Sequence, residues 1–268
     1  MQIVINFKKI SLIAIVLIVT GIIGSLITLP MLKESHKIFE EKEFPNAAVK
    51  NIAFDVYSAG LEIIPVKNRP MKLIVTGESK EELIFQADVV GDTLNVKLKK
   101  KNKIQFFNVM DFVKDVKLKI FVPVNEFNSI AGNVKYGGIH VENLKANELD
   151  LELRNGLIEL SDVDAQDIDL KLKDGEISLD KVEGNIRGTA ENGIFFLKTA
   201  HLDRNIDFEM ENGEVMIQTE QKPNNASIHT GVGNGSIIIF GSFQPDVKFG
   251  KGENKINLYV TNGTILIQ

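Results

Sequence analysis

The chain has 268 residues, 44% apolar and 25% charged, a formal net charge of −5, and neither cysteine nor tryptophan. This is a globular composition, with length for a large core or two domains. Without cysteine there is no disulfide, thiolate metal site, cysteine nucleophile or lipoprotein-type anchor, and the acid excess argues against a nucleic-acid partner.

The first predicted element is apolar. Lys8 and Lys9 precede Ile10–Leu29, twenty residues without a charge, and Pro30 marks the exit. At about 1.5 Å per residue such a helix spans the roughly 30 Å hydrocarbon core. We expect 1–9 to be a cytoplasmic N-terminus and 10–29 a transmembrane signal anchor in contact with membrane lipid. Lys8, Lys9 and the terminal amine favour the cytoplasmic side, which leaves the bulk of the chain outside a bacterial cell membrane. The asymmetry is modest, since Lys33, Lys37 and Lys42 follow the run. A cleaved signal peptide is the alternative. The run exceeds a usual h-region, and no small-residue cleavage site follows in "SLITLPMLK". Residues 30–47 read as a spacer or a short helix.

Residues 48–124 hold strand-forming runs of unequal length, such as "KNIAFDVYS", "MKLIVTGE" and "DVKLKIFVPV". They predict a small antiparallel β region that caps the C-terminal part of the chain, with a turn at Gly91-Asp92. A lysine cluster lies here: Lys97, Lys99, Lys100, Lys101 and Lys103, with Phe106, Phe107 and Phe112 beside it. It reads either as a strand edge kept from pairing by charge or as a patch for anionic lipid headgroups or an anionic wall polymer.

From 125 to 268 the chain repeats. The residue before each corner glycine is Tyr136, Asn155, Asp174, Asn192, Asn212, Asn234 and Asn262. The glycines are Gly137, Gly156, Gly175, Gly193, Gly213, Gly235 and Gly263. Apolar residues keep their offset from the corner: Leu149, Leu151, Leu153 before it and Ile158, Leu160 after it, for example. Leu144, Val163, Val182 and Ala200 recur eight residues after it. Such phase over seven copies marks a repeat architecture.

Alternation on both arms makes each arm a strand with one buried face. An antiparallel meander would also place Asn-Gly at turns. Two features favour a β-solenoid of about seven coils, one per 18–20 residues. The linking segments carry an inward apolar residue and no tight-turn signature. All copies also hold the same side chains at the same offsets, which parallel stacking would set about 4.8 Å apart. Stacked Asn can form a hydrogen-bonded ladder, and the glycine supplies positive φ. The final steps lengthen, and the last coil is expected as an atypical cap.

No catalytic, cofactor-binding or metal-ligating residue set is legible. His36, His140, His201 and His229 are far apart without ligand spacing, and none of the common hydrolase, zinc or phosphate-loop motifs occurs. His140, between Ile139 and Val141, should face outward. The acids Asp162, Asp164, Asp167, Asp169, Asp174 and Glu176 lack a calcium-loop pattern and read as outward partners of inward residues. Between Glu142 and Glu220 twenty acids face eight Lys and Arg, so the repeat surface is expected to be negative.

The anchor, "DVKLKIFVPVNEFNSIAG", the repeats "ELDLELRNGLIELSDV" and "DIDLKLKDGEISLDKV", and "ASIHTGVGNGSIIIFG" together resemble the bacterial putative-adhesin family, including its LiaG-like members. The resemblance covers about residues 51–268. Family members more often carry Ser-Gly at the corner; here it is Asn-Gly or Asp-Gly. The resemblance implies an all-β, membrane-attached extracytoplasmic solenoid without catalytic residues or cofactor. The expected function is a non-enzymatic adhesin-like surface of the cell envelope, meeting an envelope protein or wall polymer. Alternatives are an accessory of an envelope-stress signalling system and a polysaccharide-active enzyme.

Overall fold

The computed structural model describes residues 7–28, 35–45, 48–79, 82–101 and 116–268. The chain divides into two units, Met1–His36 and Lys37–Gln268. The first holds one helix, α1 (Phe7–Thr28), whose described side chains, 13–25, are exposed. Among the described residues no helix is long and apolar enough to cross a membrane. The spanning role expected of Ile10–Leu29 is therefore not shown, and Leu29 lies outside the described residues.

The second unit is built of strands: β1 (His36–Phe44), β2 (Asn51–Val66), β3 (Met71–Ser79), β4 (Leu83–Val90), β5 (Thr93–Lys100), β6 (Lys117–Pro123), β7 (Glu126–Glu142), β8 (Lys145–Ser161), β9 (Asp164–Asp180), β10 (Glu183–Thr199), β11 (Ile206–Thr219), β12 (Ala226–Ile239), β13 (Asp246–Lys248) and β14 (Asn254–Ile267). They form one sheet in the order β1-β3-β6-β2-β7-β8-β9-β10-β11-β14-β12-β13, with the β4–β5 hairpin attached to β2.

The repeat pairs in parallel and in register, not as an antiparallel meander. Asn155 lies opposite Asp174 and Gly156 opposite Gly175, and the pattern continues into β10 and β11. Each long strand bends at its corner glycine into two arms. The arms turn their apolar residues to one core: Leu151, Leu153, Ile158 and Leu160 are all fully buried. Burying such a side chain contributes about 1.5–3 kcal/mol, and the contribution recurs in every coil.

Gaps in the pattern are filled from the neighbouring coil. Gly188 stands at an inward position, where an added Cβ would meet the Phe208 ring at 2.8 Å. That ring packs on Phe195 at 4.2 Å between centroids.

The coil count and order differ from expectation. Among the described residues the stack has eight coils, because β2 pairs in parallel with β7, setting Ser58 opposite Tyr136 and Ala59 opposite Gly137. The region expected to be antiparallel is mixed: β3–β6 and β4–β5 pair antiparallel, while β2 pairs in parallel with β5 through its first arm and with β6 through its second. Two separate strands cover this coil, so among the described residues no backbone crosses its corner on that side, and alanine fits where the later coils need glycine. At the other end the last two coils are exchanged. β14 lies between β11 and β12, so the terminal coil is β12 rather than the end of the chain. Among the described strands only β13 covers its outer side, over Ser227–His229.

Three smaller differences arise from packing. His36–Phe44, expected as spacer or helix, is a strand on β3, where Glu41 and Glu43 meet Lys72 at 2.7 and 3.4 Å. Ala200 is exposed, because the loop after β10 is longer and Leu202 takes the buried place. That loop also buries Arg204, which is 6% exposed. Its guanidinium donates to the Val182 carbonyl, to Thr199 Oγ1 and to the His201 carbonyl, and pairs with Glu183 at 3.1 Å. Burial pulls the Arg204 pKa down, opposed by Glu183.

Candidate functional site

The corners build a polar spine. Asn234 Nδ2 donates to Asn262 Oδ1, Asn262 to Asn212, Asn212 to Asn192, and Asn192 to Asp174, at 2.7–3.0 Å. Asn155 donates to Asp174 from the other side at 3.0 Å. The direction has a chemical cause. Each Asn carries both a donor and an acceptor, so the amides align head to tail. An ionised Asp only accepts, so Asp174 is where the two directions meet. A second, shorter ladder runs from Asn205 to Asn185 to Asp167.

Gly156 shows why the corner is glycine. Its φ is +140°, and an added Cβ would stand 1.7 Å from the Gly137 carbonyl oxygen. The backbones of successive corners touch, leaving no room for a side chain.

Beside this spine the outward residues one and three places before the corner line a groove of about 670 Å³ crossing several coils. Glu152, Arg154, Lys171 and Lys173 lie on β8 and β9; Glu191, Glu209 and Glu211 follow on β10 and β11; Tyr259 and Thr261 lie on β14. Lys173 pairs with Glu191, and this hydrogen bond raises its pKa. Lys171 reaches Asp169 and Asp150 at 3.6 and 4.0 Å. Tyr259 is 48% exposed and lies over Gly231 of the next coil, where an added Cβ would meet its ring at 2.8 Å. The groove is thus mixed in charge at its β8–β9 end, where three basic groups stand beside Glu152, acidic along β10 and β11, and aromatic at Tyr259. Sequence reading missed it because its rows are assembled from residues 18 to 50 apart.

Of the four described lysines of the cluster, two are ion-paired. Lys99 pairs with Asp55 at 3.0 Å and Lys101 with Glu82. Lys100 lies over the Tyr57 ring, 5.9 Å from its centroid, and Lys97 is exposed on β5. Lys103, Phe106, Phe107 and Phe112 lie outside the described residues. His140 faces outward as expected, with Nδ1 3.0 Å from Glu159 Oε2.

The terminal coil holds a constellation with no sequence signature. Ser227 and His229 share one face of β12, and Asp246 of β13 lies opposite His229. His229 Nδ1 is 2.7 Å from Asp246 Oδ1, and its Nε2 is 2.9 Å from Ser227 Oγ. Ser227 is 7% exposed, and the side chains of His229 and Asp246 are 46% and 69% exposed. Ser227 is flanked by Lys248 on β13 and Lys255 on β14. Among the described residues no group of three or more His, Asp or Glu is arranged to hold a metal ion.

The fold and its surface define an all-β protein of stacked, glycine-cornered coils. The chain belongs to the Toastrack family DUF4097, which matches residues 49–268. Among solved structures it is similar to a putative cell adhesion protein from Clostridium sporogenes, at 15% identity and a TM-score of 0.44, covering 87% of this chain and 99% of that one. A putative adhesin from Bacteroides fragilis matches at 15% identity and 0.45, over 87% and 98% of the two chains. A putative lipid binding protein from Parabacteroides distasonis matches at 16% and 0.38, over 86% and 97%. No curated protein matches the chain.

Proposed function

We propose that the chain is a binding protein of the bacterial cell envelope. Ile10–Leu29 anchors it in the membrane with the coils outside, and the stack presents its outer rows to an envelope protein or wall polymer. The observation that carries this reading is the groove along β8–β11 and β14. It is open, repetitive and mixed in charge, and it rests on a backbone held by in-register pairing. Such a scaffold keeps its surface groups fixed, which lowers the entropy cost of binding. At the β8–β9 end Arg154, Lys171 and Lys173 outnumber Glu152 and suit a carboxylate or phosphate group, while Tyr259 supplies an aromatic contact.

The test uses the full chain in detergent, sedimented with purified cell walls. Reversing Arg154, Lys171 and Lys173 to Glu should weaken co-sedimentation at least tenfold, while Tyr259→Ala weakens it less. Unchanged binding of the triple variant removes the groove from the function. For the anchor, deleting Ile10–Leu29 should release the protein from the membrane fraction; retention there refutes it.

A further inference from the structure

We propose that Ser227, His229 and Asp246 form a serine-nucleophile centre at the end of the stack, able to cleave an ester. The argument rests on which atoms face which. Asp246 only accepts when ionised, so the 2.7 Å contact puts a proton on His229 Nδ1. The imidazole Nε2 then carries the lone pair, and it faces Ser227 Oγ at 2.9 Å. The hydroxyl therefore donates to Nε2, the orientation in which a histidine removes a serine proton. The fold sets this geometry cheaply. Residues two apart on a strand share a face, and the antiparallel partner places the carboxylate directly opposite the histidine. His140 and His201 also approach carboxylates, but among the described residues only His229 pairs a carboxylate on one ring nitrogen with a hydroxyl on the other.

The reaction balances with these groups alone. Ser227 Oγ attacks the ester carbonyl carbon while its proton passes to His229 Nε2. The tetrahedral adduct collapses, breaking the bond to the alcohol oxygen, which takes that proton and leaves. Water then attacks the acyl-serine with His229 again as base, releasing the carboxylic acid and restoring the hydroxyl. His229 and Ser227 are the catalytic residues, and Asp246 is a positioning residue. Lys248 and Lys255 stand opposite Ser227 on the two neighbouring strands, the Lys255 ammonium donating to the Gly252 carbonyl, and this positive surrounding favours an anionic ester. This activity does not depend on the groove.

The full chain in detergent is treated with a fluorophosphonate probe, and the adduct is located by mass spectrometry. The phosphonyl group should be on Ser227. Hydrolysis of p-nitrophenyl acetate should disappear in Ser227→Ala and fall at least tenfold in His229→Ala. Asp246→Asn should fall about tenfold and shift the His229 tautomer seen by nitrogen NMR, with Asp246→Glu restoring part of the rate. Glu159→Lys is the control and keeps the full rate. Mapping the adduct on the unaltered chain keeps the test decisive even if Ser227→Ala unfolds. Absence of an adduct on Ser227, or equal labelling in a folded His229→Ala variant, overturns the proposal.

Discussion

A single corner residue shows how narrow the backbone's tolerance is. Gly156→Ala forces a side chain into φ +140° and against the Gly137 carbonyl. The conformation alone costs about 1–3 kcal/mol, and the contact adds to it. Thermal unfolding should show a clear loss, about 2–4 °C for each kcal/mol; a wild-type melting temperature refutes the backbone contact. Asp203 gives a pH-dependent counterpart. Burial acts to raise its pKa, but hydrogen bonds from the Asn225 and Asn224 backbones and the Asn224 side chain hold it below the usual value. A carboxylate with a depressed folded pKa adds stability above its unfolded value, about 3.9. That stability is lost as pH falls through the folded value. Asp203→Asn should therefore destabilise the chain at pH 7, by a margin that shrinks as pH falls through the folded value; equal stability of the two chains at pH 7 overturns this role.

Within a coil, one corner was legible and the other was not. Asn-Gly and Asp-Gly announce the first, because glycine alone fits it. The second corner is held by Asn143, Asp162 and Lys181 at φ +55°, +51° and +52°, each donating its backbone N–H to the next coil. Asn and Asp visit this left-handed region readily, but nothing about Lys181 signals it, because the geometry is imposed by the stacked backbone bonds. Ala59 hid the first coil for the related reason that its covering strands separate there. The Ser227–His229–Asp246 cluster was illegible because Asp246 arrives from a three-residue strand beyond a loop. The left-handed conformation costs a lysine about 1–2 kcal/mol, and glycine returns about 0.5–1 kcal/mol of that through chain entropy. Lys181→Gly should thus raise stability by up to about 1 kcal/mol in denaturant unfolding, whereas Lys181→Val should lower it. The reverse order refutes the strain argument.

For the whole molecule, the exchanged terminal coils alter what truncation does. In a simple stack, removing the last coil frays one end and leaves its neighbour to serve as the new end, since each coil contacts only the next. Here β14, the last strand in sequence, pairs with β11 on one side and β12 on the other. Among the described strands, β12 and β13 have no partner in the earlier coils, so their strand pairing to the stack runs through residues made after them, with the Asp203 contacts to Asn224 and Asn225 as the link from before. The spine has the same dependence: Asn234 reaches Asn212 only through Asn262. Ending the chain at Gly252 should therefore release β12 and β13 along with β14. Hydrogen exchange should show Ala226–Ile239 unprotected while β8–β10 keep their protection. The same truncation should abolish Ser227 labelling, because the strand carrying Ser227 and His229 is no longer held against β13. Retained protection across Ala226–Ile239 would mean that β12 docks on β11 directly and that the exchanged order is not obligatory.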